Sequence, residues 1–134
     1  MTVQRRDGNP PSEFSEWFRN QPEIDSDLGF LNTNIDYAWK DRNSKQWMLL
    51  EEKRYGRRPR NWQLNFFRSI DKSIVNDYYR GFHVIRFEIT SPIDGKIWVD
   101  EEEVSRAWLI SFLRFELPEK YYRSYFEKTK SRSV

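Results

Sequence analysis

Apolar and polar residues alternate with a period of two on both sides of one short polar turn, and no other pattern constrains this chain as strongly. Ile35, Tyr37 and Trp39 alternate with Asp36, Ala38 and Lys40, and after Arg42-Asn43-Ser44-Lys45 a second run extends from Gln46 to Arg54. Side chains on a strand repeat every two residues, so the two runs are expected to form an antiparallel β-hairpin. Symmetric closure over the turn sets Asp41 against Gln46 and Asp36 against Glu51. A slip of one residue would send every side chain to the other face. In this register Ile35, Tyr37, Trp39, Met48 and Leu50 share a side expected to be buried, with Glu52 at its end, while Glu51 and Lys53 share the opposite side.

The remaining elements arrange themselves around this hairpin. Residues 1–11 are mostly polar and end in Pro10-Pro11, which suits a loosely held arm. Ser12 opens a short helix with Phe14, Trp17 and Phe18 on one stripe, stopping before Pro22, and Gly29-Phe30-Leu31 reads as a short strand. Beyond the hairpin, a basic loop leads to Asn61 as the cap of a long helix reaching Tyr79, whose stripe is Gln63, Phe67, Ile70, Ile74 and Tyr78. Gly81 is expected to end that helix, and residues 82–89 have the best strand composition in the chain. Ile97-Trp98-Val99 reads as a short edge strand. Asp100 with Glu103 resembles a capping box for a helix carrying Val104, Ala107, Trp108, Phe112 and Phe115 up to Pro118. A crossover through the long helix would set the 82–89 strand parallel to the second hairpin strand. The expected fold is α/β, a small mixed sheet flanked by helices, in one domain over residues 1–118 with a basic and aromatic tail over 119–134.

Composition narrows the chemistry. The chain has 134 residues, enough for one core. A charged fraction of 33% and a mean hydropathy of −0.93 would suggest disorder, but 17% of the residues are aromatic and can fill that core. No uncharged apolar stretch approaches the ~20 residues of a bilayer span, and the N-terminus lacks an apolar signal region, so the expectation is a soluble, non-secreted, cytoplasmic protein. Without Cys there is no disulfide scaffold, thiolate zinc site or cysteine nucleophile. The single histidine, His83, cannot build a two-imidazole metal motif and is expected to be a satisfied sheet residue. No Walker lysine loop or G-x-G-x-x-G run is present. Carboxylates and lysine are what remain.

Directly opposed Cβ atoms on a hairpin lie ~4.5–5.5 Å apart, so Asp36 and Glu51 would repel unless a cation or proton lay between them. Lys53 follows on the same face, ~6.6 Å along the strand from Glu51. Two carboxylates and an ammonium converging on one patch suit metal-assisted hydrolysis: the carboxylates can hold a hard divalent cation, and the lysine can orient the attacking water or offset charge on a pentavalent phosphate. The same three side chains also make an ordinary exposed ion-pair cluster.

The sequence resembles the PD-(D/E)XK nuclease superfamily, the restriction-endonuclease-like fold that includes RecB-type exonucleases and archaeal junction resolvases. The resemblance rests on Asn34-Ile35-Asp36 on one strand, Leu49-Leu50-Glu51-Glu52-Lys53 on the next, and a following helix carrying Gln63 with Phe67 four residues later, as in the RecB-like branch. It covers residues 12–89 and is similar to that family's α-β-β-β-α-β order, with Ile35 in place of the nominal proline. It implies Asp36 and Glu51 as metal ligands, the Glu52 carbonyl as a further ligand, Lys53 as the catalytic lysine and Gln63 as its support. Glu13 and Glu16 are both candidates for the first-helix acid of some branches. The implied activity is a Mg²⁺-dependent nuclease acting on DNA phosphodiesters, in which Mn²⁺ can substitute, of the minimal size that would suit a phage protein working in the host cytoplasm. The alternative is an idle member that binds nucleic acid or protein through the same scaffold; a small α/β interaction protein with no nucleic-acid role is a third reading.

Five of the eight residues 53–60 are basic. Arg54, Arg57, Arg58 and Arg60, with Tyr55 and Trp62 nearby, suit phosphate contacts and base stacking as well as they suit a solvated loop. The residues Glu101, Glu102 and Glu103 are expected at the positive end of a helix dipole. The tail can grip nucleic acid or pack on a second subunit, leaving a homodimer or a targeting partner open.

Overall fold

A computed structural model describes residues 12–130, which divide between two compact units meeting at Thr33 and Asn34. The first unit opens with α1 (Glu13–Arg19), capped by the Ser12 side chain, which accepts from the Ser15 N–H at 3.1 Å. Phe14 stacks on Trp17 at 6.0 Å and meets Phe18 edge-on at 5.6 Å, yet none of the helix's residues is buried. Glu13 and Glu16 lie at its N-terminal end, exposed. Two 3₁₀ turns follow, Pro22–Ile24 and Ser26–Leu28. The expected strand at Gly29-Phe30-Leu31 does not form: Gly29 closes the second turn at φ 97°, and Phe30 and Leu31 stay exposed outside any ladder.

The second unit is built on a five-stranded mixed sheet in the order β1 (Tyr37–Lys40), β2 (Trp47–Lys53), β3 (Tyr79–Phe87), β4 (Ile97–Val99), β5 (Glu102–Val104). Tyr37 pairs with Leu50 and Trp39 with Met48, the symmetric register expected from the turn. Asp41 shapes that turn, its carboxylate accepting from the Asn43 N–H and the Ser44 hydroxyl. A crossover through α2 (Asn61–Ser73) returns the chain parallel to β2, so β3 lies in the interior of the sheet. The fold class is α/β.

Several boundaries differ from the sequence expectation, each for a local reason. Helix α2 begins at Asn61 with Arg60 as its cap and ends at Ser73, not Tyr79. The Asn76 side chain takes the Tyr78 N–H at 2.9 Å and the Trp47 indole N–H at 3.1 Å, which turns the chain into β3 early. Gly81 lies inside β3 at φ 90° rather than ending a helix, beside a register shift opposite Trp47 and Leu49. Nor is β4 an edge: Asp100 and Glu101, at φ 50° and 72°, reverse the chain into β5, which takes the edge. Asp100 therefore caps no helix, and Glu102 and Glu103 are strand residues of β5 rather than first-turn residues of a helix. The next helix, α3 (Arg106–Leu113), is capped by Ser105, whose side chain accepts from the Trp108 N–H at 3.0 Å.

Both faces of the central strands are covered, the usual condition of parallel pairs. On one face Met48, Leu50, Ile85, Phe87, Ile97 and Val99 pack with Leu109 and Phe112 of α3. On the other, Leu49, Phe82 and Val84 pack with Phe67 of α2, whose Ile70 and Ile74 border the same cluster. The hairpin's buried side is thus only partly as expected. Met48 and Leu50 are buried, Tyr37 and Trp39 remain 44% exposed, and Ile35, ahead of β1, packs with the Leu49 cluster instead. Residues 119–130 supply Tyr122 to the first cluster and, through α4 (Tyr125–Thr129), Tyr125 to the second, so part of the expected tail packs into the core. Residues 1–11 and 131–134, with the expected arm and tail end, lie outside the described residues. Among the described residues no helix is long and apolar enough to cross a membrane.

Candidate functional site

The carboxyl ends of parallel strands leave loops and helix starts converging above the sheet, the usual place for a site in an open α/β fold. Here β2 ends in Glu51-Glu52-Lys53, the hairpin brings Asp36 alongside, and α2 begins over them with Gln63 in its first turn. Asp36 is tied to β2 through its Oδ2, which accepts from the Glu52 N–H at 2.9 Å. Lys53 Nζ lies 3.6 Å from Glu51 Oε2 and 3.5 Å from Gln63 Oε1, and that same amide oxygen accepts from the Arg60 N–H at 3.2 Å. Asp36, Glu51, Lys53 and Gln63 therefore come together.

Glu51 is the unusual member. It is only 3% exposed, and its Oε1 is buried without a hydrogen-bond partner. Burial pushes its carboxyl up to about 8, the Asp36 charge beside it pushes the same way, and Lys53 offsets part of the rise. An unpartnered buried carboxyl oxygen is costly; a proton held between Glu51 and Asp36 relieves the charge in the metal-free protein, and a cation would take its place.

Glu52 points elsewhere. Its carboxylate takes the Tyr37 hydroxyl at 3.1 Å and Arg54 Nε at 2.7 Å, so only its main-chain carbonyl is left for the ligand role that the resemblance implies. Among the described residues no three His, Asp or Glu side chains gather closely enough to hold a metal. The donor set is two carboxylates and a carbonyl, which fits Mg²⁺, an ion that keeps several waters and commonly takes one or two carboxylates.

The basic loop is pinned rather than loose. Tyr55 and Gly56 adopt left-handed conformations, at φ 55° and 67°, and their N–H groups donate to Ile89 O at 2.8 Å and Phe87 O at 2.9 Å. Pro59 is buried. Arg86, absent from the expected site, holds the loop from beneath: it donates to Gly56 O at 2.9 Å, forks onto Glu101 at 3.0 and 3.1 Å, and lies 4.7 Å from the Trp98 ring centre. The parallel register sets it opposite Lys53, a signal legible only once the pairing of β2 and β3 is fixed. Two of the expected phosphate-binding arginines engage carboxylates, Arg54 with Glu52 at 2.7 Å and Arg58 with Glu101 at 2.9 Å. Arg57, Arg60 and Tyr55 are exposed.

His83 is a satisfied sheet residue, as expected. Nδ1 lies 2.7 Å from Asp100 Oδ2 and Nε2 lies 2.6 Å from Arg80 O; Asp100 also accepts from the Val84 N–H at 2.9 Å and from Lys128 at 2.5 Å. The histidine and its neighbours hold β3, the β4–β5 turn and α4 together and leave no ring nitrogen for catalysis.

No protein-family model, curated protein or solved structure matches this chain.

Proposed function

We propose that the protein is a divalent-metal-dependent nuclease of the PD-(D/E)XK kind, hydrolysing DNA phosphodiester bonds with Asp36, Glu51, Lys53 and Gln63. The observation that carries the reading is the buried, unpartnered Glu51 oxygen in a cluster with Asp36, 3.6 Å on its other oxygen from the Lys53 ammonium. Mg²⁺ held by Asp36, Glu51 and the Glu52 carbonyl would supply Lewis-acid activation of water and of the scissile phosphodiester.

The side chains contribute the rest. Lys53 sets its Nζ beside the Glu51 carboxyl, where it can stabilise negative charge growing on phosphoryl oxygens or orient the attacking water. Gln63 fixes that ammonium from α2 and ties it, through the Arg60 N–H, to the end of the basic loop. Arg57 and Arg60 attract the phosphate backbone, and the exposed Tyr55 ring offers a stacking surface. The hairpin, parallel crossover and helix around these residues support the reading at the level of a mixed α/β sheet, although the strand expected at Gly29-Phe30-Leu31 does not form.

The test is cleavage of labelled DNA in Mg²⁺ or Mn²⁺ against EDTA. Wild type is expected to cut only with metal, and Asp36→Ala and Glu51→Ala to lose cleavage while melting cooperatively. Cleavage at the wild-type rate by both variants would remove the assignment, and metal-independent DNA binding without cutting by wild type would favour the idle scaffold.

A further inference from the structure

Past the basic loop, α2, α4 and the β4–β5 turn enclose a groove of about 440 Å³ lined by Arg58, Leu64, Arg68, Glu101, Tyr125 and Phe126. Its charge is positive, because Glu101 is shared by Arg58 and Arg86 while Arg68 adds a third guanidinium. Arg68 is exposed but not loose: its guanidinium lies 5.0 Å from the Phe126 ring centre, and NH1 donates to Asn65 Oδ1 at 3.2 Å. Phe126 is itself stacked on the fully buried Phe82 at 5.5 Å. A guanidinium laid on an aromatic face presents its outer N–H edge to solvent and loses less side-chain entropy when it meets a phosphate. One turn further along the same helix face stands the exposed Lys72.

The groove is lined in part by α2, the helix that also carries Gln63. Gln63 and Arg68 are on one helix, and at 1.5 Å per residue Arg68 stands about 7.5 Å along the axis from Gln63, with Lys72 about 13 Å away. Nucleic-acid phosphates follow one another at ~3.4 Å of rise per strand, so the two cations fall within about two to four nucleotides of the site. We infer that the groove between α2 and α4, with Arg68 as its central cation, is a track for the nucleic-acid backbone beyond the scissile position. This rests on the nuclease reading for the identity of the polymer, and charge complementarity argues for a polyanion over an apolar or cationic partner.

The test is equilibrium binding of fluorescent single-stranded oligonucleotides to the full chain, in EDTA so that no turnover intervenes, as a function of length and salt. Arg68→Ala is expected to weaken binding of a 12-mer several-fold at low salt and to lower the slope of log K against log salt by about 0.7, the value of one single-strand phosphate contact. Arg68→Glu should weaken it further. The loss should shrink for a dinucleotide, whose one internal phosphate cannot occupy the site and the groove together. Melting of each variant near the wild-type temperature, expected for an exposed side chain, ensures that the loss is local. A 12-mer slope unchanged in both Arg68 variants, or a wild type that binds no oligonucleotide, would overturn the track. Because the readout needs neither metal nor cutting, its failure is separable from failure of the cleavage assay: oligonucleotide binding that depends on Arg68 without any metal-dependent cleavage would leave the track and remove the nuclease.

Discussion

Glu51 and Lys53 divide the work at the site in ways that separate experimentally. Lys53 touches Glu51 and Gln63 but needs no contact with a cation, so Lys53→Met should lower single-turnover cleavage by ~10²–10⁴ while changing metal affinity little. Cleavage near the wild-type rate at saturating Mg²⁺ would reduce Lys53 to a neutralising surface charge. Glu51 makes a second prediction, in the metal-free protein. Its folded-state carboxyl is raised from 4.5 to about 8, so between those values the folded state binds the proton that the unfolded state has released. That contribution is fully present below about pH 4.5 and is lost as pH rises through about 8. Wild type without metal should therefore lose stability over this window, on the order of a few kcal/mol, whereas Glu51→Gln, which cannot ionise, should not. Parallel pH profiles for the two proteins in denaturant melts would show that Glu51 carries no such burden.

At the scale of elements, the hairpin was the most legible part of the chain and the β3–α4 contact the least. Alternation around Arg42-Asn43-Ser44-Lys45 fixes register because the turn is closed by Asp41's own side chain, a local interaction. Gly81 shows the opposite case. Read locally, it stops a helix; in the folded chain its left-handed conformation sits in β3 because the backbone of residues 122–124 passes against it. A Cβ at this position would lie 2.8 Å from Tyr122 O, and the φ of 90° already disfavours any side chain. Gly81→Ala is expected to cost ~2 kcal/mol or more, several degrees in melting temperature. A melting temperature equal to wild type would mean that residues 122–124 yield freely. Asp100 is a similar lesson: with Glu103 it has the spacing of a cap, yet it is drawn into a buried ion cluster by His83 and Lys128, the latter 28 residues away in sequence.

For the whole molecule, sequence pattern reached the α/β class, the parallel crossover and the meeting of Asp36, Glu51 and Lys53, because hydrophobic period and turn chemistry act over short spans; Gln63 entered through the family resemblance. It did not reach Arg86 under the basic loop, the β4–β5 edge or the packing of residues 119–130, which depend on contacts between segments far apart in the chain. Of the aromatic residues of that last segment, which read as a sticky tail, Tyr122 and Tyr125 are core and Phe126 packs against it. As proposed here, Asp36 and Glu51 form a metal centre in which the buried Glu51 oxygen takes a cation. The most direct test is a crystal of the protein soaked in Mn²⁺ and measured for anomalous scattering. One strong peak is expected between the Asp36 and Glu51 carboxylates, in contact with the Glu52 carbonyl and absent from Glu51→Gln crystals. A soaked crystal with no anomalous density there, or with the same density retained in Glu51→Gln, would contradict it.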